Sequence, residues 1–123
     1  MATTALSTQV APGSVDYTGA TLTSDTVEDG ADDNSFVSTG QEMVLLINDT
    51  AGAIVVTFTS VADARLGREK AMLVTVPADV GGINGKAIAG PFSIDGWRDT
   101  SGNILMQAAS AGVEASIIQI PRV

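Results

Sequence analysis

A chain of 123 residues has the size of one domain, and its 14 carboxylates against 6 Lys and Arg give a net charge of -8. With no His and no Cys it cannot build a Ser-His-Asp triad, a cysteine nucleophile, a zinc site with nitrogen or sulfur ligands, or a disulfide. Residues 1–64 carry nine acids (Asp16, Asp25, Glu28, Asp29, Asp32, Asp33, Glu42, Asp49, Asp63) and no base, whereas residues 65–123 carry five acids and all six bases. An acidic half repels phosphate groups, so neither nucleic acid nor a membrane surface is an expected partner.

Residues 1–36 are rich in Thr, Ser, Ala, Asp and Gly, with isolated apolar side chains at Leu6, Val10, Val15, Tyr17, Leu22 and Val27. Such a segment buries little surface by itself. It is predicted to form an extended acidic N-terminal arm ahead of a core spanning 37–123. Its first residues hold neither a basic nor an apolar run, so no secretory signal is expected. The acidic run 25–34 invites a calcium reading, and counted as an EF-hand loop from Asp25 it puts Asp29 and Gly30 at the fifth and sixth positions. Val27 and Phe36 then occupy the third and twelfth positions, where oxygen ligands belong. The run therefore reads as a solvated acidic loop.

From residue 43 onward apolar side chains recur with period two. In 43–47, Met43, Leu45 and Ile47 point one way and Val44 and Leu46 the other, which predicts a strand covered on both faces. Asn48-Asp49-Thr50-Ala51-Gly52 is a turn cluster, and 53–59 follows as a strand with Ile54, Val56 and Phe58 on one face. The two strands are predicted to pair as an antiparallel hairpin. A short helical turn is expected at 61–66, with Ser60 as its cap and Gly67 as its stop. Further strands are predicted at 72–76, 87–93, 103–108 and 114–120, separated by Gly-containing breaks. Several short strands with regular turn signals indicate an all-β chain, an antiparallel sandwich or barrel.

No motif supplies chemistry. Gly81-Gly82-Ile83-Asn84-Gly85-Lys86 looks like a phosphate loop, but Val80 stands where the first Gly belongs and Ala87 where Ser or Thr would hold magnesium. Asn48-Asp49-Thr50 fits the glycosylation sequon and is read as turn chemistry. No two carboxylates are placed in a common cleft by the sequence, so no enzyme, cofactor or metal is expected. Trp97, beside Arg98, fits either a binding hot spot or a cap on one end of a β core, and the cap is favoured.

The order of segments carries a resemblance. Val10-Ala-Pro-Gly-Ser-Val15 leads through an acidic-glycine stretch to the apolar strand at 43–48 and the Val/Thr-rich Ile54-Val-Val-Thr-Phe58. Val74-Thr-Val-Pro-Ala78 is then matched by Ile88-Ala-Gly-Pro-Phe92, and the turn Trp97-Arg-Asp-Thr-Ser-Gly102 precedes two closing strands. This pattern resembles small β-rich structural proteins of tailed phages encoded near the major capsid gene, the decoration or cement proteins. Trp97 stands where that pattern often has Tyr, and Gly102-Asn103-Ile104 where it has Gly-Lys-Val. The resemblance implies a virion protein on the capsid exterior, assembled in the host cytoplasm. Its implied partners are the major capsid protein and further copies of itself, with a trimer preferred. Leu6, Val10, Val15, Tyr17 and Trp97 are the residues expected to touch capsid or subunit. Two alternatives remain: a head-tail joining or tail-terminator ring component, or a carbohydrate- or receptor-binding module using Trp97 and the acidic loop with calcium.

Overall fold

The computed structural model describes residues 3–10, 24–27, 33–59, 71–94 and 96–120. They form strands β1 (Thr3–Ala5), β2 (Thr8–Val10), β3 (Asp25–Thr26), β4 (Asp33–Val37), β5 (Glu42–Asn48), β6 (Ile54–Thr59), β7 (Met72–Val76), β8 (Gly85–Ala89), β9 (Asn103–Ala108) and β10 (Val113–Gln119). One sheet has the order β1-β4-β9-β6-β7; the other has β2-β10-β5-β8, with β3 also on β10. No helix occurs among the described residues, and the predicted turn at 61–66 lies outside them.

Alternation explains why the two sheets stack. In β5, Val44 and Leu46 are fully buried, while Met43, Leu45 and Ile47 on the outward face are half-buried. In β6 and β9, Val56, Phe58, Ile104 and Met106 face the same interior, and Val113, Ala115 and Ile117 of β10 meet them from the second sheet. The result is the all-β sandwich that the period-two pattern predicts.

Three features differ from the sequence-based expectation. First, 43–59 is not a hairpin: β5 pairs with β8 and β10, and β6 pairs with β7 and β9 in the opposite sheet. The Gly-containing turn carries the chain across the sandwich, and turn composition alone does not distinguish a crossing from a hairpin. Second, the strand predicted at 87–93 runs from Gly85 to Ala89. It stops before Gly90–Pro91, where Pro91 has no N–H for the ladder, and Phe92 turns into the core at 4% exposure.

Third, the described parts of the N-terminal arm belong to the sandwich. β1 pairs with β4 and β2 with β10, both in parallel, while β3 pairs with β10 antiparallel. Between β1 and β2 the chain passes from one sheet to the other at Leu6-Ser7. There the Leu6 N–H donates to the Ser35 carbonyl at 2.8 Å, and the Ser7 N–H donates to Asp25 Oδ2 at 2.8 Å. Residues 3–10 thus cover both sheet edges on one side, satisfying backbone groups that would otherwise invite strand addition. The boundary expected at 36/37 falls inside β4, an inner strand of its sheet.

Candidate functional site

Among the described residues several polar side chains act on the chain's own backbone, and two ends of the sandwich show how. At the first end, Asn48 closes β5 with 0% exposure. Its Nδ2 donates to the Gly52 carbonyl at 2.8 Å and the Pro77 carbonyl at 3.1 Å, with a longer approach of 3.4 Å to the Val76 carbonyl. Its Oδ1 accepts from the Thr50 N–H at 2.9 Å and the Thr50 hydroxyl at 2.7 Å. One amide therefore ties the sheet-crossing turn to the end of β7. Asn48 is consumed in this way, so the sequon offers no accessible acceptor in the folded chain.

At the opposite end, Glu42 is 2% exposed, and its carboxylate accepts from the Thr39 N–H at 2.6 Å and the Thr39 hydroxyl at 2.5 Å. Both oxygens are spent on pinning the β4–β5 turn. Beside that turn, Phe92 gathers the aromatic residues. Its ring centroid lies 5.0 Å from Phe58, 6.0 Å from Phe36 and 5.3 Å from Trp97, the last edge to face.

Of the five residues expected to make contacts, the three that are described lie apart in the fold. Leu6 is 6% exposed and Trp97 9% exposed, both within the chain's own core, while Val10 at the end of β2 is 63% exposed. Val15 and Tyr17 lie outside the described residues. The carbohydrate alternative needs Trp97 together with the acidic loop, whose Glu28, Asp29 and Asp32 lie outside the described residues. Trp97 offers little free ring face, and Asp25 and Asp33 belong to strands of different sheets. Among the described residues no group of three or more carboxylates is placed to hold a metal ion.

Two buried polar groups have no partner among the described residues, the Asn34 amide and the Ser38 hydroxyl. Asn34 in β4 is 0% exposed, and neither its Nδ2 nor its Oδ1 has a partner among the described residues. A buried, unsatisfied amide destabilises by about 1–3 kcal/mol, and removing the polar atoms removes that penalty. Asn34→Val is expected to raise stability by about 1 kcal/mol, or about 4 °C in melting temperature. A fall in melting temperature would mean that the amide is satisfied after all.

The sequence reading placed Asn48 in turn chemistry, as its bonds to Thr50 show, but not its reach to the end of β7, and it missed Glu42 and the hairpin tip at 80–83. Only the last had a usable signal, since Gly-Gly between two β-branched residues marks a two-residue hairpin. Comparison with protein-family models, curated proteins and solved structures finds no match to the chain.

Proposed function

We propose that this chain is a capsid decoration protein of a tailed phage, binding the outer surface of the assembled head and tying neighbouring major capsid subunits together. The observation that carries the reading is the order of segments along nearly the whole chain, which resembles that family. Two features of the fold support it. Asn48 and Glu42 spend their polar atoms on the sandwich's own turns, and large aliphatic side chains stand exposed on short strands and turns, Leu73, Val80, Ile83 and Ile88 each above 60%. Such a surface suits association with protein rather than chemistry on a small molecule.

The physical role follows from mass action. A protein that binds only the assembled shell stabilises that shell by an amount set by its free concentration relative to its dissociation constant. The acidic surplus of residues 1–64 would speed encounter with basic patches on the shell, through a field weakened by salt. The purified chain is accordingly expected to co-sediment with emptied heads of its own virion at moderate salt and to raise their disruption temperature. Failure to co-sediment at micromolar concentration would count against the assignment. A soluble closed ring formed without heads would favour the head-tail joining alternative.

A further inference from the structure

The connection between β7 and β8 ends in a preorganised apolar tip. Val80 and Ile83 form an isolated antiparallel bridge, with Val80 N–H to Ile83 carbonyl at 3.0 Å and Ile83 N–H to Val80 carbonyl at 3.2 Å. Gly81 and Gly82 between them have φ of +64° and +80°, the two positive values of a type I′ turn. The base of the tip is fastened as well. The Asp79 N–H donates to the Thr50 carbonyl at 2.7 Å, and Asp79 Oδ1 accepts the Gly82 N–H at 3.1 Å. Thr50 is in turn held by Asn48, so the tip is continuous with the corner that Asn48 closes.

Residues directly opposite in such a bridge project their side chains from the same face. Val80 and Ile83 are 75% and 74% exposed, above every other large hydrophobic among the described residues. A cross-strand contact between the two would give the hairpin itself a few tenths of a kcal/mol, yet it would not require both side chains to stand in water. Side chains already fixed on a rigid turn lose little freedom on binding, which lowers the ordering cost of association. The surroundings select the kind of pocket. Among the described residues Asp79 sits at the base and Asp49 on the adjoining corner, against Lys86 on the first part of β8. An anionic lipid surface would be repelled by such a rim.

We propose that the 79–83 hairpin tip is the docking element of this protein, seating Val80 and Ile83 in an apolar pocket with a basic rim on a protein partner. This rests on the decoration reading and makes the Asn48 end of the sandwich the end that faces the shell. The test compares the wild-type chain with V80T/I83T in binding to emptied heads, alongside thermal melting of both. Threonine keeps the β-branched shape and the cross-strand pair but removes the apolar surface. The expected result is an unchanged melting temperature and binding weaker by about a hundredfold. Equal binding of the two proteins overturns the tip as the docking element while leaving the function intact. A variant that melts well below the wild type overturns it too, since the pair would then be structural. Wild type that does not bind heads refutes the decoration reading and this partner together. Uptake of wild type by phosphatidylserine vesicles, abolished in the variant, would refute a protein partner.

Discussion

Asn48→Ala is expected to lower the stability of the chain by about 3 kcal/mol, with a fall in melting temperature of about 10–15 °C. The side chain is fully buried and makes four short hydrogen bonds, two as donor to the Gly52 and Pro77 carbonyls and two as acceptor from Thr50. Truncation removes them all and leaves the Pro77 carbonyl and the Thr50 N–H short of partners where the sheets cross over. Asn48→Asp is the sharper variant. It keeps the acceptor facing Thr50 but sets a carboxylate oxygen where an N–H pair now meets two carbonyl oxygens. Its destabilisation should equal or exceed that of alanine at neutral pH. Thr50→Val, which removes only the hydroxyl, should have an effect of about 1 kcal/mol. Urea unfolding of the three variants checks the order, and an Asn48→Asp variant as stable as wild type would sink the assignment.

Gly85→Ala is expected to be at least as damaging, by about 3 kcal/mol or with failure to fold. A Cβ built on Gly85 would lie 1.8 Å from the Pro77 carbonyl oxygen, 2.4 Å from its carbon and 2.9 Å from the Ala78 carbonyl oxygen. All three atoms are backbone, so relief requires the end of β7 to move. The same Pro77 carbonyl accepts from Asn48, and Asn48 and Gly85 are register partners across β5 and β8. Glycine and asparagine thus form one latch: the missing side chain admits the carbonyl and the amide holds it. The double variant N48A/G85A should therefore lose less than the sum of the single losses, because once the carbonyl is displaced the amide has less to hold. Gly52→Ala is the control, since a Cβ there meets nothing within 4 Å. Wild-type stability of Gly85→Ala would contradict the close approach.

The parts of this fold legible in the sequence are those where burial imposes a period. Met72–Val76 is bounded as the alternation predicts, because Val74 and Val76 face the interior and Pro77 ends the ladder. Trp97 reads as a core cap for a similar reason, a large ring next to a Gly turn with Phe92 close by in sequence. β1, β2 and β3 were illegible because edge strands of two or three residues are held by backbone hydrogen bonds and contribute almost nothing apolar; Leu6 is the single side chain of 3–10 that is buried. Assigning β5 and β6 to different sheets needed their pairings with β8 and β10 and with β7 and β9, partners distant in the sequence that no local turn signal reports.

Of the candidate site, the sequence indicated the kind of residue more readily than its exposure. Isolated apolar residues in a polar segment look like contact points, but Leu6 is used internally. Val80 and Ile83 were hidden inside a Gly-rich string that invites comparison with a phosphate loop. Charge was legible in amount and misleading in use. Asp25 accepts the Ser7 N–H, so it helps to fasten the N-terminal strands besides adding to the acidic field. Neutralising it would alter the edge of the sandwich along with the charge.

The reading of the chain as a decoration protein is tested most directly by carrying the head-binding measurement to saturation and counting bound chains per major capsid subunit. Decoration predicts a plateau at a fixed ratio set by the shell lattice, reached on assembled heads and absent on free capsid subunits. No binding, or a plateau of a single ring per head, would contradict it.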